Sequence, residues 1–200
     1  MKNWAIVFLL FGIIGCTNQT KHLPYLGVPT KIGNETKYPV IPPFSFINQD
    51  SLTITEQYFK DKIYVADFIF LSCPTICPKM NSEMNIVYRE FKNNSNVLFL
   101  SHTVDPENDN CERLKNYTTG LNIDTKRWNF VTGNKDSIYH IAEKGYYSIA
   151  YSDSTAPGGL VHSGGLLLID KLRHIRGVYD GTNTEATKQL IKDIKLLLEE

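Results

Sequence analysis

Blocks of apolar residues alternate with polar segments along this chain, and their lengths predict β-strands. The run at 63–71 (IYVADFIFL) has the length and the β-branched and aromatic content of a strand covered on both faces. A hairpin is predicted at 44–54, where a polar turn separates two short apolar segments. Shorter apolar runs predict four more strands, at 97–100, 128–131, 166–169 and 175–179.

Helical spacing occurs between these strands. After Pro78, apolar side chains recur at every third or fourth position, which places them on one face of a helix: Met80, Met84, Val87, Tyr88 and Phe91. Further helices are predicted at 106–117 and 136–144. A closing helix is predicted where Thr182 and Glu185 have the spacing of a capping box. This order of elements predicts an α/β fold with a central mixed β-sheet flanked by helices and with an N-terminal hairpin.

The N-terminal residues have the pattern of an export signal. Lys2 precedes an apolar run at 4–14, and Gly15 and Cys16 follow that run. Because a membrane-spanning helix needs about 20 apolar residues, the run is too short to cross a bilayer. We therefore predict a signal peptide over residues 1–15, in preference to the alternative of a buried N-terminal strand.

The sequence around Cys16 resembles the lipobox of bacterial lipoproteins. This resemblance implies cleavage before Cys16 and lipidation of its thiol and amine, with more than one acyl chain for stable anchoring. Residues 16–43 are polar and rich in proline, and we predict that they form a tether. The folded domain is then predicted over residues 44–200.

Composition narrows the classes of function. Of 200 residues, 42% are hydrophobic and 21% are charged, which is enough apolar material for a packed core. Lys and Arg together number 21, as do Asp and Glu, so the net charge of zero gives no electrostatic support to nucleic-acid binding. Because the chain has one long apolar run and that run is short, a polytopic membrane protein is excluded.

Cys73 and Cys77 (CPTICP at 73–78) lie between the predicted buried strand and the start of a helix. Unpaired N–H groups at a helix N-terminus stabilise a thiolate, and the spacing brings both sulfurs to one side of a turn. The pair can form a disulfide or hold a soft metal ion. A purely structural disulfide stays open, although closing so short a loop contributes only about 2 kcal/mol in the chain-entropy estimate.

The choice of metal depends on the other donors. Structural zinc takes four closed ligands, haem attachment needs Cys-x-x-Cys-His, and iron–sulfur clusters usually need four cysteines; these patterns are missing from the sequence. Two thiolates with a nitrogen donor suit Cu(I) and tolerate Cu(II). The remaining cysteine, Cys111, shares a predicted helical face with Leu114 and Tyr117, so we predict a small buried hydrophobic side chain.

Five histidines compete for the position of the nitrogen donor. His22 and His174 are predicted to be solvated, and His102 and His140 to be ordinary, partly buried residues. His162 differs, because glycines flank it and a strand follows at once (GGLVHSGG). The residues alone make His162 a candidate ligand and leave its role open.

Three elements in sequence order carry a resemblance to a known family. LSCPTICP at 71–78, VDPE at 104–107 and His162-Ser163 together resemble the Sco/SenC family, from about residue 43 to the final helix. These are thioredoxin-fold copper proteins that help to assemble the binuclear copper centre of cytochrome c oxidase. The resemblance implies that Cys73, Cys77 and His162 are copper ligands.

The resemblance also places Asp105 at an acidic position near the site. One departure concerns the histidine: family members usually have Asp immediately before it, whereas this chain has Val161. An altered neighbour can change the orientation or basicity of His162.

The resemblance implies a metallochaperone that delivers copper, as Cu(I) or Cu(II), to the copper-bearing subunit of cytochrome c oxidase. The alternative is a thiol–disulfide reductase, in which Cys73 attacks and Cys77 resolves. A peroxide-reducing enzyme of the same fold is the least favoured alternative. Nothing in the sequence resembles a peroxide-reactive cysteine surrounded by Thr and Arg. Expected partners are the oxidase subunit, a periplasmic copper carrier or thiol reductant, and the membrane through the lipid anchor. The expected location is the bacterial cell envelope, with the domain in the periplasm.

Overall fold

The computed structural model describes residues 22–200, and its strands follow the predicted apolar runs. The strands of this part of the chain are β1 (Thr30–Ile32), β2 (Glu35–Lys37), β3 (Ser45–Asn48), β4 (Thr53–Thr55), β5 (Ile63–Ile69), β6 (Val97–Thr103), β7 (Trp128–Thr132), β8 (Ala150–Ser152), β9 (Leu160–His162), β10 (Gly165–Ile169) and β11 (Ile175–Asp180). The helices are α1 (Cys77–Phe91), α2 (Cys111–Leu121), α3 (Lys135–His140) and α4 (Thr184–Glu199). The predicted signal peptide and Cys16 lie outside the described residues.

Seven strands form one mixed sheet in the order β11-β10-β5-β6-β7-β3-β4. Strands β5, β6 and β7 are parallel, and the other neighbours pair antiparallel. Every residue of β5 is buried, as its continuous apolar run predicts. The predicted central mixed sheet and the hairpin β3–β4 are therefore confirmed.

Helix α1 buries the face that its apolar spacing predicts. All five apolar residues of that face are buried, and α1 packs against α4, which also contacts β11 and β5. Full burial of each such side chain contributes about 1.5–3 kcal/mol. On the sheet beneath, alternate residues point to opposite faces. Paired residues Phe68 and His102 thus lie on one face, and paired Asp67 and Ser101 on the other.

Two helix starts differ from the sequence prediction. Helix α2 begins at Cys111 rather than at 106, because the side chain of Asn110 caps it by accepting the N–H of Arg113 at 2.9 Å. Cys111 is therefore the first helical residue and is only partly buried, so the prediction of a buried cysteine is wrong. Helix α4 is capped by Asn183 instead of Thr182, whose hydroxyl donates to Asp180.

The described part of the predicted tether, residues 22–43, packs on the domain. The N–H of Leu26 donates to the carbonyl of Ile175 at 2.8 Å, and that of Ile41 to the carbonyl of Arg173 at 2.9 Å. Arg176 donates to the Leu23 carbonyl. Leu23 and Ile41 are buried, whereas the hairpin β1–β2 is exposed throughout. Within residues 22–200, each helix is too short or too polar to span a membrane.

His102 is fully buried in β6 and not partly buried as predicted. Its ring stacks on Phe68 with centroids 5.1 Å apart and also meets the rings of Phe44, Phe46 and Tyr146. Neither ring nitrogen has a hydrogen-bond partner among residues 22–200. Burial lowers the pKa of His102 from 6.5 to about 3, because the imidazolium cation would have to form among apolar aromatic side chains.

This burial predicts an acid sensitivity that can be measured. Between pH 6.5 and 3 the unfolded chain binds a proton at His102 that the folded chain does not, so the free energy of unfolding falls as the pH falls. The contribution of His102 is about 1.4 kcal/mol per pH unit. Replacement His102→Phe should remove that part of the slope in denaturant titrations, whereas the matched variant His140→Phe, at an exposed position of α3, should keep it. If the free energy of unfolding depends on pH equally in His102→Phe and His140→Phe, the prediction is wrong.

Candidate metal centre

The two cysteines lie at the edge of the sheet where the parallel strands β5 and β6 end. After Ile69 the chain makes a turn in which the N–H of Cys73 donates to the carbonyl of Phe70 at 3.1 Å. Helix α1 then starts at Cys77, with Pro78 in its first turn. Proline fits there because that N–H has no partner within the helix. The carboxyl ends of parallel strands are where α/β folds place their sites.

His162 reaches the cysteines from a separate hairpin. It is the last residue of β9, which pairs with β8 in a small two-stranded sheet. Its Nε2 lies 3.2 Å from the Sγ of Cys77, and its ring packs edge-on against Phe70 with centroids 5.6 Å apart. The two sulfurs and a ring nitrogen of His162 all lie within 4.8 Å of one another. The structure thus brings together the three residues that the resemblance names.

The orientation of His162 is set by a backbone carbonyl. Nδ1 lies 3.1 Å from the oxygen of Ser163, and because a carbonyl only accepts, Nδ1 carries the proton. The Nε2 lone pair is then left to face Cys77. The Ser163 carbonyl therefore does the orienting that a neighbouring carboxylate would do, at a site where this chain has Val161.

The two thiols have opposite electrostatic environments. Burial raises the pKa of Cys73, but the N–H groups of Cys77 and Thr75 outweigh it and lower that pKa to about 6. Burial raises the pKa of Cys77 well above its usual range, and the neighbouring Cys73 and Asp67 raise it further. At neutral pH one sulfur is a thiolate and the other is a thiol.

Asp67 is a residue of this region that sequence reasoning missed. It lies in β5 with only 1% of its surface exposed, and burial raises its pKa to about 7 although the Ser101 hydroxyl donates to it. Trp128 in turn donates its Nε1–H to Ser101 at 2.9 Å. A lone carboxylate within an apolar strand sequence was the signal that could have identified Asp67.

The other candidates lie elsewhere. Asp105 accepts from the side chain of Asn108 and is outside the cysteine–histidine cluster. His22 is exposed, as predicted, whereas His140 is exposed and not partly buried, so that prediction is wrong. His174, predicted to be solvated, is partly buried, because residues 22–43 pack beside it and its Nδ1 lies 2.9 Å from the Pro39 carbonyl. Among the five histidines, His162 alone is placed beside the sulfurs.

Comparison with known proteins gives a family match and close structural relatives. The family model described as SCO1/SenC matches residues 33–199. A SCO1/SenC family lipoprotein from Bacillus anthracis str. Ames is 30% identical, with a TM-score of 0.73 over 80% of this chain and 95% of that chain. BsSco, described as a member of the Sco family of cytochrome c oxidase assembly proteins, is 30% identical, with a TM-score of 0.69 over 78% of this chain and 92% of that chain.

A copper-bound structure has the same fold. ScoI from Arabidopsis thaliana, solved with copper bound, is 23% identical, with a TM-score of 0.65 over 78% of this chain and 98% of that chain. These matches confirm the predicted thioredoxin-like fold and the resemblance to the Sco/SenC family. The Cys73, Cys77 and His162 cluster is suited to a metal ion such as copper.

The opposite thiol environments predict selective alkylation of the reduced, metal-free protein. With its pKa near 6, Cys73 should react with iodoacetamide at a rate that rises with a midpoint near pH 6 and levels off above pH 7 or so. Cys77 should react much more slowly, because its raised pKa keeps it protonated. Peptide mass spectrometry distinguishes the two, and Cys111→Ser serves as the background so that the third thiol does not contribute. Equal labelling of Cys73 and Cys77 at pH 7 would contradict the assignment.

Proposed function

This chain belongs to the SCO1/SenC family, and we propose that it is a copper metallochaperone that delivers its ion to the copper-bearing subunit of cytochrome c oxidase during assembly. Cys73, Cys77 and His162 are its proposed copper ligands. The observation that carries the proposal is the convergence of two sulfurs and an imidazole nitrogen within 4.8 Å. The description of BsSco as belonging to a family of oxidase assembly proteins supports the choice of target.

Copper is the metal that this donor set favours. Soft thiolates select Cu(I), and an imidazole nitrogen extends the site to Cu(II). A structural zinc site would require a fourth protein ligand, and no fourth Cys, His, Asp or Glu joins the cluster among residues 22–200. A three-ligand site also leaves a position at the metal that a ligand of the receiving protein can occupy before the ion leaves.

The thiol environments determine how copper enters. Cys73 offers a thiolate at neutral pH, whereas Cys77 must lose its proton when copper binds. Binding therefore releases a proton, and the affinity for copper should rise with pH in this range. Because Nδ1 of His162 faces the Ser163 carbonyl, Nε2 is the nitrogen that the histidine offers to copper.

Exposed apolar side chains beside the site support contact with another protein. The strand β8 pairs Ala150 with His162. The residues on either side of Ala150, Ile149 and Tyr151, are 57% and 48% exposed, and nearby Tyr147 is 55% exposed. Aromatic and aliphatic side chains exposed around a site are typical of surfaces that bind a protein partner.

The unequal thiols also favour a second candidate function, thiol–disulfide reduction. The Cys73 thiolate would attack a disulfide of a partner, forming a mixed disulfide as the partner's S–S bond breaks. Cys77, on losing its proton, would attack the Cys73 sulfur and leave a Cys73–Cys77 disulfide, while the partner gains two electrons and two protons. A thiol reductant of the cell envelope would restore the pair. The oxidised cysteines of the oxidase copper site would be the substrate.

We also propose that the protein is a lipoprotein of the bacterial cell envelope, anchored through Cys16 with its domain in the periplasm. The lipobox resemblance supports this location, as does the description of the Bacillus anthracis relative as a lipoprotein. The proposed organisation is a signal peptide over 1–15, a segment over 16–43 and the copper-binding domain over 44–200.

The histidine separates the two candidate functions. In His162→Ala, binding of Cu(I) should weaken modestly, because two soft sulfurs remain, whereas binding of Cu(II) should be lost or become far weaker. Oxidation of Cys73 and Cys77 needs only the sulfurs and should stay largely intact. Copper titration with optical and paramagnetic-resonance detection measures the first effect, and thiol counting measures the second.

Matched variants make this test decisive. Cys73→Ser and Cys77→Ser should each remove nearly all copper binding, and His140→Ala, which removes an exposed histidine, should bind as the parent protein does. If His162→Ala retains the parent affinity for Cu(II), the proposed ligand role of His162 fails. If oxidase assembly in cells still requires Cys73 in that case, the reductase function is favoured.

The anchor can be tested on the full-length protein. Detergent phase separation should place the parent protein in the detergent phase, and its intact mass should show cleavage before Cys16 and the added acyl groups. Cys16→Ser should abolish both mass additions and leave the protein in its precursor form, whereas Cys111→Ser should give the processed, acylated mass of the parent. An unmodified Cys16 in the mature protein would refute the anchor.

A further inference from the structure

A buried carboxylate outside the cysteine–histidine cluster binds the turn that carries Cys73. Asp109 lies between β6 and α2 and is fully buried. Its Oδ2 accepts the hydroxyl of Thr103 at 2.6 Å and the N–H of Leu71 at 3.0 Å. Thr103 ends β6, and Leu71 is two residues beyond the end of β5. One carboxylate oxygen therefore joins the segments that leave the two central strands.

An arginine extends this connection to the residue next to Cys73. Arg113, in the first turn of α2 and four residues after Asp109, donates its Nη1–H to the Oδ1 of Asp109 at 2.9 Å. Its second terminal nitrogen, Nη2, donates to the hydroxyl of Ser72 at 2.8 Å. The planar guanidinium thus holds Asp109 and Ser72 at the same time, which a lysine ammonium cannot do with the same geometry.

Besides the packing of Phe70 against His162, the other contacts of this turn are local. Between β5 and α1 the chain is irregular, and the N–H of Cys73 donates to the carbonyl of Phe70 within the turn. A buried carboxylate with its hydrogen bonds satisfied strongly favours one arrangement of the groups around it, because displacing any donor leaves charge unpaired. The position of Ser72, and with it the direction of the Cys73 side chain, is tied to that arrangement.

We propose that Asp109 and Arg113 are positioning residues for the copper site: they hold the Cys73 turn so that its sulfur stays within reach of Cys77 and His162. The proposal deepens the proposed copper function and rests on it. Groups that orient metal ligands without touching the metal typically change metal affinity by about 10- to 100-fold when they are removed. Arg113 is the better residue to test, since its side chain is 39% exposed and its loss need not unfold the protein.

The decisive comparison is between Arg113→Met and Lys115→Met. Both variants remove one positive charge from α2, but the Lys115 ammonium pairs at 3.3 Å with Asp50 on the surface, away from the Cys73 turn. Arg113→Met should bind Cu(I) about 10-fold more weakly in a competition titration and should change the thiolate-to-Cu(II) absorption band. Lys115→Met should match the parent protein in both.

Two further variants separate positioning from general stability. Ser72→Ala removes only the outer contact and should shift affinity in the same direction, and combining it with Arg113→Met should add little further. Arg113→Lys can reach one of the two acceptors and should recover part of the loss. Thermal melting of each variant is measured alongside, because a purely structural role would lower the melting temperature without changing the absorption band.

The redox couple provides a readout that is independent of copper. If the clamp formed by Asp109 and Arg113 holds the two sulfurs together, the Cys73–Cys77 disulfide should be less favoured in Arg113→Met. A 10-fold decrease in the equilibrium constant for disulfide formation makes the reduction potential of the pair about 30 mV less negative. Parent-like copper affinity, absorption and potential in Arg113→Met would overturn the positioning role. Failure of the parent protein to bind copper would instead overturn the proposed function, while the potential would still test the clamp.

Discussion

The parallel pairing of β5 with β6 is the constraint on which the site depends. Its register runs without interruption from Ile63 opposite Val97 to Ile69 opposite Thr103, so both strands end at the same level of one sheet edge. The Cys73 turn and the loop that carries Asp109 leave that edge side by side. A carboxylate on one loop can therefore accept hydrogen bonds from the other, and the start of α1 brings Cys77 to the same place. Without this register the sulfurs and their supporting groups would belong to unrelated parts of the surface.

Much of this arrangement could be predicted from the sequence, because apolar runs and helical spacing of apolar residues indicate which side chains are buried. The run at 63–71 and the helical spacing after Pro78 both became elements with the expected buried faces. The two cysteines could be located as well, since a strand followed by a helix fixes the turn between them. His162 is different: its hairpin pairs outside the main sheet, so no periodicity links it to Cys77, and the family resemblance was needed.

The parts that could not be predicted depend on tertiary contacts of polar side chains. Residues 22–43 lack any sustained period, yet Leu23 and Ile41 are buried because backbone groups of this segment find partners around β11. The family resemblance points to Asp105, whereas Asp109 makes the bonds to the cysteine turn. Asp105 and Asp109 lie four positions apart in one loop. The sequence does not show which of the two carboxylates contacts the cysteine turn, because that depends on the strand ends that each one faces. The prediction for Cys111 failed for a related reason, because the cap at Asn110 moved the helix start.

Gly158, four residues before His162, has a physical role that links the hairpin to the cysteine turn. Gly158 has a φ of +80°, and a Cβ added there would lie 2.8 Å from the ring of Phe70. The same ring is the surface on which His162 packs, and Phe70 precedes Cys73 in the turn. A bulkier residue at 158 would displace Phe70 or the hairpin, and either movement would separate Nε2 of His162 from the sulfurs. The hairpin and the turn are thus held together by apolar packing, while the hydrogen bonds of Asp109 hold the turn to the sheet.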